Sequence, residues 1–183
     1  MIIAWAASCR PHAMPLARRQ RRSQAGMYFV TIVTKGRVCL FGGITDGVMR
    51  LNDFGKIVDE TWRWLEKQYL YVELGVWVVM PNHFHGILII HDDLSGCGSR
   101  TAPTGRTAPT GLKRKTLGRL IGAFKTVSTQ HINIYRHSEG SIVWQSDFYD
   151  HIIRSQRDLE PTWRYIESNP ARWDRDRNHP SRH

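Results

Sequence analysis

Apolar positions recur along the chain with two periods, and together they divide it into strands and helices. Residues 27–34 (Met-Tyr-Phe-Val-Thr-Ile-Val-Thr) are rich in aromatic and β-branched side chains, which pack well on a pleated surface, and they predict a strand. Residues 38–41 and 48–51 flank Gly42-Gly43 and Asp46-Gly47, so a loop with a small hairpin follows. Either Asn52 or Asp53 can cap a helix that runs to about Gln68, with Ile57, Thr61, Trp64 and Leu65 at helical spacing. Residues 72–80 predict a second strand, Pro81-Asn82 a turn, and residues 83–90 (His-Phe-His-Gly-Ile-Leu-Ile-Ile) a third. The last is apolar on both faces, as expected of a central strand in a covered sheet. Residues 112–136 predict a long basic helix with Leu117, Leu120, Ile121, Phe124 and Val127 or Ser128 on one face. A short strand at 141–144 precedes a helix over 155–168, which Ser155 and Asp158 open as a capping box and Asn169-Pro170 closes. Leu159, Thr162, Trp163 and Ile166 form its apolar stripe, and Pro161 predicts a kink or a helix start near it. The order of strand, helix, strand, strand, helix, short strand, helix predicts an α+β fold of ferredoxin-like (RRM-like) type. That is an antiparallel sheet with helices packed on one face.

Length and composition bound this picture. The chain has 183 residues, 41% hydrophobic and 10% aromatic, which suits one globular domain with tails. Cys9, Cys39 and Cys97 are odd in number and widely spaced, which excludes a disulfide framework or a cysteine zinc site and suits a reducing, cytoplasmic setting. No apolar run is long enough to span a bilayer, so no membrane association is expected. The first nine residues are apolar but lack the basic start of a signal peptide. Two near-copies of Arg-Thr-Ala-Pro-Thr-Gly, at 100–105 and 106–111, mark a low-complexity linker over 95–112. The expected organisation is a basic arm over 1–25, a domain over 26–175 containing the linker, and a tail over 176–183.

Charge adds a partner. Lys and Arg number 26 against 16 Asp and Glu, for a net +10. Residues 1–25 carry five Arg and no acid, and residues 96–157 carry ten bases against three acids. Residues 26–95 carry six bases against eight acids, and residues 158–183 carry five of each. Segregated positive charge favours a polyanion, through release of its counterions; the plainer reading is a solvated basic surface. Arg18, Arg19, Arg21 and Arg22 form one group. Lys113, Arg114, Lys115, Arg119 and Lys125, on or before the long helix, form another. Such groups hold phosphates without reading bases.

The sharpest chemical signal is Pro81-Asn82-His83-Phe84-His85. Residues i and i+2 of a strand share a face, so His83 and His85 present two imidazoles together while Phe84 points into the core. Two imidazoles on a rigid strand make half of a divalent-metal site, although such a pair also occurs as ordinary packing. His91 has the same parity but lies at the strand end, too far for the same metal. On the last helix Tyr165 and Asn169 are four residues apart and share a face. A tyrosine hydroxyl beside a metal can attack a phosphodiester, and an asparagine oxygen can complete the metal shell. Packing and helix capping are the plainer roles for that pair.

Taken in order, these motifs resemble a known family. They are Tyr28-Phe29-Val30-Thr31-Ile32 with Thr34-Lys35, Leu51-Asn52-Asp53-Phe54-Gly55, and Val78-Val79-Met80-Pro81-Asn82-His83-Phe84-His85-Gly86. Leu117-Gly118, Phe124-Lys125, Trp144-Gln145, Tyr149-Asp150-His151-Ile152-Ile153-Arg154, Tyr165-Ile166 and Asn169-Pro170 follow. Over residues 26–175 the chain resembles the REP-associated tyrosine transposases, of the insertion-sequence-type single-tyrosine HUH transposases. The resemblance implies a ferredoxin-like fold with the His-hydrophobic-His pair on a central strand. It also implies DNA transposition and recombination chemistry: cutting of single-stranded DNA beside hairpin (REP-type) repeats with Mg²⁺ or Mn²⁺, and rejoining through a 5′-phosphotyrosine intermediate. By position His83 and His85 become metal ligands, Asn169 the third ligand and Tyr165 the nucleophile.

Tyr149 is the rival nucleophile, with His151 and Arg154 as neighbouring phosphate contacts, although its aromatic surroundings suit base stacking better. The alternative function is a non-catalytic module that binds single-stranded nucleic acid by stacking and charge. Monomer and dimer are both compatible with the sequence.

Overall fold

The structure, a computed structural model, describes residues 25–92 and 114–182. Arg18, Arg19, Arg21, Arg22, the repeat-bearing linker and Lys113 lie outside the described residues. The elements are β1 (Gly26–Val33), β2 (Gly42–Thr45), β3 (Val48–Leu51), α1 (Asp53–Gln68), β4 (Val72–Val79), β5 (His83–Ile90), α2 (Leu117–Tyr135), β6 (Tyr149–Ile153) and α3 (Gln156–Ser168). The main sheet has the order β4-β5-β1-β6, with every neighbouring pair antiparallel. This is the α+β, ferredoxin-like arrangement expected, with the His-bearing strand central. β2 and β3 form a separate hairpin. Asp46 and Gly47, at φ 53° and 71°, supply the two left-handed residues that a tight hairpin turn requires.

Each helix begins where a side chain satisfies an orphan backbone N–H. Asn52 accepts from Gly55 N at 3.0 Å, Thr116 from Arg119 N at 3.4 Å, and Ser155 from Asp158 N at 3.3 Å. The Thr116 cap starts α2 at Leu117, five residues later than the expected start at 112, so Arg114 and Lys115 precede the helix. Pro161 neither ends nor starts α3, which runs through it as one helix. The strand expected at 141–144 reduces to a single bridge between Thr34 and Trp144, and the Trp144 ring inserts into the core, donating to Ser128 Oγ at 2.9 Å.

Two apolar layers sandwich the sheet. On one face Tyr28, Val30 and Ile32 of β1 and Phe84 and Leu88 of β5 pack on Val58, Trp62 and Leu65 of α1 and on Leu120, Ile121 and Phe124 of α2. Gly86 leaves room for this packing, since a Cβ there would lie 2.7 Å from the Phe84 ring and 3.0 Å from Trp62. On the other face Phe29, Ile87 and Ile153 pack on Ile166 of α3, with Leu159 beside them. The helices are therefore not confined to one face. β5 is apolar on both sides, so both must be covered, and α3 covers the side the histidines share. Residues 176–182, expected as a tail, fold back onto the domain and bury Asp176 and Asn178.

Phe84 is fully buried, with its ring 4.5 Å from that of Trp62 and 5.4 Å from that of Phe124. Phe84→Ala should lower the unfolding free energy by about 3–5 kcal/mol, read from urea denaturation. A loss under about 1 kcal/mol would contradict the central place given to this strand.

Candidate functional site

The antiparallel register places Val78, His85, Thr31 and Tyr149 in one row across the sheet, with His83 opposite Val33 in the next. His83 and His85 point to the α3 face, are fully buried, and have ring centroids 4.5 Å apart. Each ring is oriented from behind. Asn82 donates both amide hydrogens to backbone carbonyls, those of Arg37 at 3.0 Å and Asn178 at 2.7 Å. Its Oδ1 therefore faces His83 Nδ1 at 2.8 Å, which places the proton on Nδ1 and leaves the Nε2 lone pair available. Thr31 Oγ1 lies 2.8 Å from His85 Nδ1 and can orient that ring in the same sense.

The other wall comes from α3 and the segment after it. The Tyr165 hydroxyl lies 3.3 Å from His85 Nε2. Asn169 caps α3, and its buried side chain donates from Nδ2 to Asp176 Oδ2 at 3.3 Å. The 3₁₀ helix Pro170–Arg175 then carries the chain round so that Asp176 Oδ2 stands 4.0 Å from His83 Nε2. Asn178 N holds the second Asp176 oxygen at 2.6 Å. The ligand atoms of His83, His85 and Asp176 lie within 4.8 Å of one another.

Burial pushes His83 down to about 4 despite the opposing charge of Asp176. His85 is held well below the ordinary value, first by burial and then by His83. Both rings are thus neutral at pH 7, the form that binds metals. The approach of His83 to Asp176 is then a neutral imidazole facing a carboxylate, not an ion pair. Two buried atoms at this point, His83 Nε2 and Asn169 Oδ1, have no hydrogen-bond partner. Such orphans are costly unless something binds them. Two imidazole nitrogens and a carboxylate with an orphan amide oxygen beside them fit a divalent cation, so the group could bind one. Burial raises the Tyr165 phenol above its ordinary 10, with Asp176 adding to the shift and Arg177 opposing it, so the phenol is protonated at neutral pH.

The depressed histidines make the metal-free protein pH-sensitive. Folded His83 takes up its proton near pH 4 but unfolded His83 near 6.5, so the unfolded chain binds more protons between those values and stability falls as pH drops. In EDTA, at pH 5, His83 alone should cost about 2 kcal/mol relative to pH 7.5. Urea midpoints at the two pH values check this, and His83→Asn should shrink the difference by about that amount, with His85 still contributing to what remains.

The other residues singled out from sequence are placed as follows. Tyr149 is half exposed, with its ring edge-on to Phe29 at 6.4 Å and Arg177 over it at 5.5 Å. His91 pairs with Glu73 at 2.8 Å. Arg114 lies 3.6 Å from Asp92, and Lys115 donates to the Tyr69 hydroxyl. Both stand at the far end of β5, roughly 25 Å along the strand from His83. Arg154 follows β6 at that same end, and Arg119 is exposed on the first turn of α2. Lys125 does not present its charge to solvent: all three ammonium protons go to the carbonyls of Gln145, Ser146 and Asp147, at 2.9–3.0 Å. It tethers the loop that enters β6, and burial lowers its pKa.

The arginines at the site are others. Arg172, Arg175 and Arg177 line a cleft of about 460 Å³ together with Tyr165, Asn169 and Asp176. An even balance of charge over 158–183 concealed them.

An uncharacterised protein of Haemophilus influenzae is 34% identical over 152 residues, covering 82% of this chain and 83% of the relative. The chain belongs to that protein's family. No family model matches the sequence. Among solved structures, a REP-associated tyrosine transposase bound to a REP hairpin superposes with a TM-score of 0.56 at 18% identity, covering 86% of this chain and 74% of the other. At that identity the likeness is one of fold, and the family thus has the transposase's α+β architecture. Among the described residues no helix is long and apolar enough to cross a membrane.

Asp176, Asn82 and Thr31, with Arg172, Arg175 and Arg177, are the site residues that sequence reasoning missed. Asp176 had one signal, an acid in a short Arg-rich segment close behind Asn169.

Proposed function

We propose that this protein is a metal-dependent single-stranded DNA endonuclease and transposase of the HUH single-tyrosine type, which cuts and rejoins DNA beside hairpin (REP-type) repeats. The observation that carries the reading is the Tyr165 hydroxyl, 3.3 Å from His85 Nε2 and beside the His83–His85–Asp176 group. His83, His85 and Asp176, with Asn169 beside them, would hold Mg²⁺ or Mn²⁺. A cation there would draw charge from a bound phosphate and favour the phenolate.

The chain's own residues do the rest. Arg172, Arg175 and Arg177 pair with phosphate oxygens and bring the strand to Tyr165. Tyr165 Oη attacks the scissile phosphorus, the bond to the 3′ oxygen of the preceding nucleotide breaks, and a 5′-phosphotyrosine forms. The phenolic proton leaves to solvent, which also protonates the departing 3′ oxygen. A 3′ hydroxyl attacking the phosphotyrosine reverses the step and rejoins DNA. Asn82 and Thr31 keep the imidazoles in register throughout. Fold likeness to a hairpin-bound transposase and segregated basic charge also support a DNA partner.

The test is incubation of a hairpin-bearing single strand with the protein and Mn²⁺. A gel-shifted adduct that survives denaturant and requires the metal is expected. Cleavage that persists in EDTA, or no adduct with any hairpin, would sink the proposal.

A further inference from the structure

A second cleft, of about 400 Å³, opens on the other side of Arg177. Tyr149 and Phe148 form its aromatic wall, and Arg37, Asp147, Arg177 and Asn178 its polar rim. Arg177 lines both clefts. The rings of Tyr165 and Tyr149 lie 6.0 Å and 6.4 Å from the ring of Phe29, so they are at most about 12 Å apart. A strand with a phosphate at Tyr165 would carry a neighbouring base into this second cleft.

We infer that the second cleft seats one base of the single-stranded DNA, stacked on Tyr149, immediately beside the phosphate that Tyr165 attacks. The inference rests on the cutting reaction proposed above. Half of Tyr149 is exposed although its ring belongs to the site face of the sheet, and an exposed ring offers the π-surface on which any base can stack. The Arg177 guanidinium over the same ring can pair with the adjoining phosphate without leaving the site. Asn178, almost fully buried, carries a side-chain Nδ2 with no partner.

The cleft's lining offers an acceptor, the Asp147 side chain, and donors from Arg37, Arg177 and Asn178, so hydrogen-bonding groups of either kind on a seated base can be met. Tyr149 is then a base-stacking residue rather than a nucleophile.

The test uses the full chain in EDTA, where binding proceeds without cutting. 2-Aminopurine is placed at each position flanking the hairpin in turn. Quenching at one position is expected, lost in Tyr149→Ala and retained in Tyr149→Phe, with far-ultraviolet circular dichroism confirming that both variants fold. Quenching that is unchanged in Tyr149→Ala would overturn the inference, whether or not the Tyr165 adduct forms. Tyr149-dependent quenching in a protein that forms no adduct with Mn²⁺ would reject the cutting reaction and leave the base subsite standing.

Discussion

Tyr165→Phe should abolish the covalent DNA adduct, a loss of at least about 10⁴-fold, because no second nucleophile replaces the missing oxygen. The substitution removes one oxygen, 3.3 Å from His85 Nε2 and close to the Asn169 and Asp176 side chains, from a residue that is 37% exposed. Folding and metal binding should therefore persist, and so should binding of the hairpin strand. Quantified adduct on denaturing gels, with Mn²⁺ titration on the same preparations, separates loss of the nucleophile from loss of the site. An adduct in the phenylalanine variant would move the chemistry elsewhere, with Tyr149 the nearest alternative on that sheet face.

Asp176→Ala should weaken Mn²⁺ binding at least about tenfold, because it takes away the only carboxylate of the three-residue group and the acceptor that orients Asn169. Asp174, two residues earlier and exposed, provides the control, since it lies outside the group. Calorimetric titration of both variants reads the difference. Equal affinities for Asp176→Ala and the unaltered protein would remove Asp176 from the site, and equal losses in the two variants would make the effect one of general charge. Adduct formation should fall with metal affinity and be partly recovered at high Mn²⁺.

These two residues differ in how far the sequence exposes them, and the difference is geometric. Tyr165 and Asn169 are one helical turn apart, so a fixed period places them together. His83 and His85 are related by the strand period, and both pairs are legible from spacing alone. Asp176 reaches the site through the 3₁₀ helix Pro170–Arg175, whose path has no hydrophobic repeat to announce it. Thr31 meets His85 only through cross-strand register, which depends on which strands pair. Asn82 resembles an ordinary turn residue until its amide is seen to hold the backbone at Arg37 and Asn178.

The fold was legible for the same reason, and its misplacements follow from it: the fourth strand is β6 (Tyr149–Ile153) rather than residues 141–144, and the helices lie on both faces of the sheet. Alternation and helical period place β1, α1, β4, β5 and α2 within a few residues. They do not say which face of the sheet a short helix covers, and α3, whose only fully buried residue is Ile166, covers the histidine face. Charge was the poorest guide. Lys125 looks like a phosphate contact on a helix face, but it tethers a loop, and the arginines nearest Tyr165 lie where bases and acids balance.

The central claim is that Tyr165 bonds to DNA. Trypsin cleaves after arginine, so it separates Tyr165 within residues 165–172 from Tyr149 within residues 137–154. Mass spectrometry of the digested adduct, made with a hairpin-bearing strand and Mn²⁺, should find the oligonucleotide on the 165–172 peptide. An oligonucleotide on 137–154, or on no tyrosine, would contradict the account.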